Sequence, residues 1–167
     1  AQYHGPEGIR KIAEHIATAA AALAGNLREL GYTIKHEQFF DTIRVQAVPG
    51  VTADKIQKIA LNRGYNFWYP CGNCVVISTD EITTISEIND ITGIFAEAAG
   101  LEASKVTDLS DNLNIDDRFR RKSAFLQERT FNSYHSETDM MRYIKMLERK
   151  DFSLANGMIP LGSCTMK

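Results

Sequence analysis

Between residues 5 and 31 the chain sets Ile9, Ile12, Ala13, Ile16, Ala20, Leu23, Leu27 and Leu30 at intervals of three and four. Only a long amphipathic helix gathers such positions onto one side, and a helix of that kind needs a partner layer to cover its stripe. Pro6 falls in the first turn, where its missing N–H costs nothing, and Gly31 is a natural end. The alanines at 19 to 22 predict a close approach of the neighbouring element.

The strands and helices expected after Gly31 supply that layer. Tyr32 to Glu37 alternates loosely, and Thr42 to Val48 alternates cleanly, with Ile43, Val45 and Ala47 on one face. A helix is expected from about Thr52 to Arg63, with Ile56, Ile59 and Ala60 inward and Gly64 as its stop. Asn66 to Tyr69 and Asn73 to Ser78 read as short strands around a turn at Pro70-Cys-Gly72. Thr84-Ile-Ser-Glu87 is a capping box that opens a helix reaching about Ala99, with Ile88, Ile91, Phe95 and Ala98 inward and Gly100 after it. The order helix, β, β, helix, β, β, helix predicts an α+β sandwich: a small, largely antiparallel sheet with helices on one face, closing near residue 100.

Beyond it the periodicity degrades. Residues 101–130 read as a linker with one short helix around 117 to 127, and Arg118-Phe-Arg-Arg-Lys122 is a basic run. Ser136-Glu-Thr-Asp139 is a further cap signature, opening a helix through Met140, Tyr143, Ile144 and Leu147 to about Lys150. Residues 131–167 are then a helix and an extended stretch. Apolar exposure is expected there at Met140, Met141, Phe152 and Ile159.

Composition excludes several function classes. The 167 residues suit one domain, or one domain plus an extension. A net charge of -2 with no basic stripe gives no electrostatic case for nucleic acid. No apolar run approaches the ~20 residues that cross a bilayer. Ala1-Gln-Tyr-His-Gly-Pro is not a signal peptide, and with no leading Met it reads as the cut edge of a longer chain. Three cysteines, an odd number, favour a reducing cytoplasm or an organelle matrix over a disulfide framework.

Few motifs carry chemistry. Cys71-Gly-Asn-Cys74 has the spacing of a redox pair or of half a zinc site. A redox pair of the thioredoxin type opens a helix, whereas Val75-Val-Ile reads as a strand. A structural zinc needs four ligands, so Cys164 and a distant His would have to complete it. The expected reading is a solvent-side turn with incidental cysteines. His4, His15, His36 and His135 are too scattered for a metal site, and His15 lies off the apolar face, as a surface residue does. His135, crowded by Tyr134 and Ser136 before a helix start, fits capping or packing better than catalysis. Tyr3-His-Gly-Pro6 reads as an entry turn. The chain holds no GxGxxG or GxxxxGK[ST] loop. Its last ten residues, Met158-Ile-Pro-Leu-Gly-Ser-Cys-Thr-Met-Lys167, offer two hydroxyls, a thiol and an ammonium in one short span.

Phe131-Asn-Ser-Tyr-His-Ser-Glu-Thr-Asp-Met-Met-Arg-Tyr-Ile144, Leu147-Glu-Arg-Lys-Asp151 and Met158 to Lys167 resemble the signature of the decarboxylating glycine dehydrogenases, the P-proteins of the glycine cleavage system. Tyr3-His-Gly-Pro6 and Phe40-Asp-Thr42 fit the same family upstream, so the resemblance spans nearly the whole chain. Cys71 and Cys74 depart from it. The resemblance implies two halves of the pyridoxal-phosphate aminotransferase-like fold (fold type I). Residues 5 to 100 would be the small C-terminal domain of the first half, followed by a helical, extended connector that opens the second.

In that family glycine is decarboxylated on pyridoxal phosphate, and the aminomethyl group passes to the lipoyl arm of the H-protein. The Schiff-base lysine sits in a His-Lys-Thr motif, which this chain lacks, so the chain alone is expected to be inactive and to hold no cofactor. The resemblance points to Ser163, Cys164, Thr165, Lys167 and His135 as contributors to a substrate or cofactor pocket, with no catalytic residue and no metal. Its partners would be the lipoylated H-protein and the rest of the dehydrogenase chain, in a homo-oligomer. Its location would be a bacterial cytoplasm, or a mitochondrion in a eukaryote. On the residues alone, a small-molecule-binding α+β module and a non-catalytic subunit remain open.

Overall fold

The computed structural model describes residues 1–109, 115–152 and 157–158. The chain divides into two compact units, Arg10–Lys122 and a second made of Ala1–Ile9 with the segment from Ser123 onward. The first is α+β. Helix α1 (Gly5–Glu29) leads to strands β1 (Thr33–Ile34) and β2 (Thr42–Gln46), then helix α2 (Ala53–Asn62). Strands β3 (Trp68–Cys71) and β4 (Cys74–Ser78) and helix α3 (Ile85–Ala99) complete it.

Ala17, Thr18, Ala19, Ala20, Ala22, Leu23 and Ala24 of α1 are all buried, so its middle is enclosed on more sides than the apolar stripe alone requires. Small side chains let neighbouring backbone come close, and the one hydroxyl among them, on Thr18, donates to the Glu14 carbonyl at 2.6 Å. The sheet is antiparallel throughout, in the order β1-β2-β4-β3. Ile43 pairs with Ile77 and Val45 with Val75, and all four are buried in the same cluster as Leu23, Leu27, Ile56, Ile88 and Phe95. Alternate positions face the other way, where Arg44 and Val76 are half-buried and Trp68 is 66% exposed. The helices thus cover one face of the sheet, as the element order implies.

Local signals set the helix boundaries. Thr52 caps α2 by accepting from the Lys55 amide, and Thr84 and Glu87 form both arms of the capping box on α3. α1, α2 and α3 all close by the same geometry, with Gly31, Gly64 and Gly100 at positive φ. The amides of Tyr32, Tyr65 and Leu101 then return to the carbonyls of Leu27, Ala60 and Ala96 at 2.8–2.9 Å. The first two return bonds also bring the rings of Tyr32 and Tyr65 onto the core, whereas Leu101 stays exposed.

Several expectations are corrected. β1 is two residues long instead of six, because beyond Ile34 its side chains are exposed and only the Lys35 amide continues the ladder, to the Arg44 carbonyl. The β3–β4 turn is Gly72-Asn73 and not Pro70-Cys-Gly72. β3 is an edge strand, so Pro70 sits in it without breaking a ladder bond. The cysteines flanking this turn are not incidental: Cys71 and Cys74 are joined by a disulfide, and Cys74 is fully buried. His15 is half-buried rather than a surface residue, and its Nε2 donates to the Thr83 carbonyl at 2.9 Å. No helix forms at 117 to 127; the Asp116 carboxylate takes the Arg118 amide at 2.9 Å and its guanidinium at 2.8 Å, which holds a turn instead. Ahead of that turn, residues 101–109 carry no helix or strand but pack on the core through Ala103, Val106 and Leu109. Asn89 clamps this stretch, its side-chain amide bonding both the amide and the carbonyl of Val106 at 2.8 and 3.0 Å.

Tyr32 ties the end of α1 to α3. Its hydroxyl donates to the Phe95 carbonyl at 2.8 Å and its ring meets that of Phe95 edge-on at 5.1 Å. Burial pushes the Tyr32 phenol up to about 12 from an ordinary value of 10.0. Because the fold raises this value, its contribution is complete below about pH 10 and is lost as pH climbs from 10 towards 12. Denaturant melts of Tyr32→Phe should be about 1–2 kcal/mol less stable at pH 8, with a gap to wild type that narrows by pH 11.5. A gap that stays constant across that range would refute the assignment.

Candidate functional site

In the second unit, helix α4 (Glu137–Glu148) follows a 3-10 turn at Arg129–Phe131. Ser136 caps α4, its hydroxyl accepting from the Asp139 amide at 3.1 Å and donating to the Asp139 carboxylate at 2.7 Å. The cap leaves His135 just outside the helix, where its ring lies against the beginning of α1. His135 Nδ1 is 2.8 Å from the Tyr3 carbonyl. A carbonyl oxygen only accepts, so Nδ1 carries a proton, and in the neutral ring the lone pair is on Nε2. His135 itself is exposed.

This contact requires a glycine. Gly5 is buried at φ +64, and a Cβ there would stand 2.8 Å from the His135 ring and 2.9 Å from the Phe131 carbonyl. Tyr3-His-Gly-Pro6 is therefore more than an entry turn: its glycine permits residues 131 to 135 to lie on the first turn of α1. A polar triangle lies beside it. Gln2 Nε2 donates to Thr130 Oγ1 at 3.2 Å and to the Tyr143 hydroxyl at 2.9 Å, and Thr130 donates to Tyr143 at 3.0 Å. Tyr134 stacks on Tyr143 with ring centroids 4.2 Å apart. Sequence reading missed Gln2, Gly5 and Thr130, since their partners lie more than a hundred residues away; a glycine before Pro6 inside a helical pattern was the one available signal.

Of the five residues that the sequence singles out, His135 is thus placed at a tethered position, with no hydrogen bond to its Nε2 among the described residues. Ser163, Cys164, Thr165 and Lys167 lie outside the described residues. Ile159 does too, whereas Met141 and Phe152 are exposed at 65% and 60%, and Met140 is half-buried. Within this chain the described residues offer pyridoxal phosphate no desolvated lysine, since every lysine among them is exposed. Nor, among them, do three His, Cys, Asp or Glu side chains come together to hold a metal. No helix among them is long and apolar enough to cross a membrane.

Comparison with known proteins bears on the whole chain. The family model described as "Glycine cleavage system P-protein" matches residues 1–95. A protein from Bacteroides thetaiotaomicron named "Glycine dehydrogenase (decarboxylating)" is 46% identical over all 167 residues, which span 18% of its length. Proteins of the same name from Flavobacterium johnsoniae and Vibrio cholerae are 46% and 41% identical, again over the full chain and 17% of their own length. A crystal structure of glycine decarboxylase (P-protein) in inhibitor-bound form aligns with 56% of the chain and 23% of its own, at 21% identity and a TM-score of 0.49, too loosely to fix the fold.

The glycine at the His135 contact yields a double-mutant test. Gly5→Ala should lower stability by about 1–3 kcal/mol, through the positive φ and the close approach together. In a His135→Ala background the loss from Gly5→Ala should shrink, since one of the two obstructing groups is gone. Thermal melts of the four proteins check this, and an equal loss in both backgrounds would refute the contact.

Proposed function

This chain belongs to the glycine cleavage system P-protein family, and from that premise we propose that it is one part of a decarboxylating glycine dehydrogenase and does not act alone. The observation that carries the proposal is an identity of 41–46% running the length of the chain while covering only 17–18% of each relative. Packing alone does not demand a run such as Met158-Ile-Pro-Leu-Gly-Ser-Cys-Thr-Met-Lys167. In this reading the α+β unit is the small C-terminal domain of the first aminotransferase-like half, and residues 131–167 open the second.

The reaction proposed for the whole enzyme is loss of CO₂ from glycine, with the aminomethyl group passed to a lipoyl arm on the H-protein. Pyridoxal phosphate supplies the electron sink when bound, and its lysine is contributed by a part of the polypeptide other than this one. The exposed lysines support that division of labour. The role of this chain is positional. The run from Gly162 to Lys167 provides hydroxyl, thiol and ammonium groups to the mouth of a pocket whose floor is elsewhere. Ser163 and Thr165 act there as hydrogen-bond donors to an anionic substrate or cofactor group, and Cys164 lies near the incoming lipoyl sulfurs. His135, held by Tyr3 through Nδ1, offers Nε2 to the same region.

Two measurements test this reading. Pyridoxal phosphate added to the isolated chain should produce no lasting Schiff-base absorbance; a stable band that borohydride fixes to a lysine would overturn the division of labour. In the full-length enzyme, Ser163→Ala and Thr165→Ala should each slow CO₂ release from glycine about ten- to a hundredfold, as expected for loss of a donor to a charged group, with the melting temperature held. Wild-type kinetics in both variants would remove the terminal run from the pocket.

A further inference from the structure

We propose that Cys71 and Cys74 are a reversible dithiol–disulfide site, opened and closed by exchange with low-molecular-weight thiols and disulfides of the glutathione class, with Cys71 as the point of entry and Arg44 as a cation beside both sulfurs, nearer to Cys74, that favours thiolate on the pair. The pair lies on the face of the sheet away from the hydrophobic core. It is independent of the pocket described above.

Three features carry the inference. First, the two cysteines are directly opposed partners at the end of the β3–β4 hairpin, with Cα atoms 5.3 Å apart and only Gly72 and Asn73 between them. That separation lies within the ordinary range for a disulfide. The backbone of the turn is held by other bonds. The Gly72 carbonyl accepts from the Ala53 amide at 3.0 Å, and the Asn73 carbonyl accepts from the Ala47 amide at 2.8 Å and from Gln46 Nε2 at 3.1 Å. These bonds do not involve sulfur, so the hairpin keeps its shape whether the thiols are joined or free. Both redox states are compatible with one fold, which a reversible site requires.

Second, the two sulfurs are unequal in access. Cys71 is half-buried and reachable, whereas Cys74 is fully buried. An external thiolate can attack only the Cys71 side of the bond, and in the reduced state only Cys71 can attack an external disulfide. Third, a fixed cation stands over the pair. Arg44 projects from β2 beside β4, and its Nη2 lies 3.4 Å from Cys74 Sγ and 3.9 Å from Cys71 Sγ. Its Nε is buried without a hydrogen-bond partner. A guanidinium so placed beside two sulfurs gains most when one of them carries negative charge, because a nearby cation favours the thiolate that attacks or leaves.

The exchange balances. In oxidation, the Cys71 thiolate attacks one sulfur of glutathione disulfide; that S–S bond breaks, and one glutathione leaves as thiolate and takes a proton. Cys74 then gives up its proton to water and attacks Cys71 Sγ, releasing the second glutathione. Two protein thiols become one disulfide, and one glutathione disulfide becomes two thiols. Reduction runs through the same mixed disulfide on Cys71.

The test uses the 167-residue chain carrying Cys164→Ser, equilibrated in buffers of varied reduced and oxidised glutathione, quenched with an alkylating agent and read by peptide mass spectrometry. The expected result is a 71–74 disulfide that rises and falls reversibly with the glutathione ratio. Cys74→Ala should trap glutathione on Cys71, whereas Cys71→Ala should leave Cys74 unmodified. Arg44→Gln should slow mixed-disulfide formation on Cys71 by roughly threefold or more. Alkylation of both cysteines in every buffer, or a disulfide that no thiol reopens in the folded chain, would overturn the site. Glutathione on Cys74 in place of Cys71 would overturn the entry point, and an unchanged rate in Arg44→Gln would remove the cation's role.

Discussion

The α+β unit depends on the close seating of the middle of α1. From Ala17 to Ala24 its buried side chains are no larger than a threonine, apart from Leu23. A helix so small in section lets its neighbours pack against backbone as much as against side chains, where many weak dispersion contacts accumulate. The large residues that complete this core, Phe95, Ile88, Ile94, Ile43 and Ile56, come from the sheet and the other two helices. Burying two methylenes' worth of extra volume at Ala19 or Ala20 would strain this layer more than removing a methyl at its edge. Tyr32 then locks the seating, since the same return bond that ends α1 swings its ring into the core and its hydroxyl onto α3.

How much of this could be read in advance depends on where each instruction resides. Helix limits were legible to within two residues because caps and glycine closures are local: Thr84 and Glu87 need nothing beyond the first turn of α3, and Gly100 needs only the carbonyls behind it. The inward faces of β2 and α3 were legible for the same reason, as periodicity is a property of the segment. Strand β3 was not. Its limits depend on being at the sheet edge, which tolerates Pro70 and shifts the turn to Gly72-Asn73, and edge position is a fact of topology. The expected helix at 117 to 127 failed on one competing local bond, the Asp116 carboxylate to the Arg118 amide, with little apolar surface to outweigh it.

The candidate site was less legible than the fold. The residues that suggest a family are gathered in the terminal run and around His135. The contacts that give His135 its geometry come from Tyr3 and Gly5, at the opposite end of the chain. No periodicity links positions so far apart in sequence. The histidine also looked like a capping residue because it precedes a helix, but Ser136 does the capping and frees the ring for the Tyr3 carbonyl. One hydrogen bond thereby decides its tautomer, and with it the nitrogen on which any later chemistry has to act.

Two kinds of sulfur and nitrogen chemistry are therefore separated on one short chain. The groups proposed for the pocket, His135 and the residues from Ser163 to Lys167, are assigned binding and orienting roles, and every lysine among the described residues is exposed. The cysteines on the sheet have a different arrangement: a disulfide-bonded pair with one sulfur reachable and one buried, beside the Arg44 guanidinium. A thiol pair with one reachable sulfur answers to bulk thiol poise. The proposed pocket needs other parts of the polypeptide to complete it, and relatives of which this chain spans only 17–18% leave ample room for them.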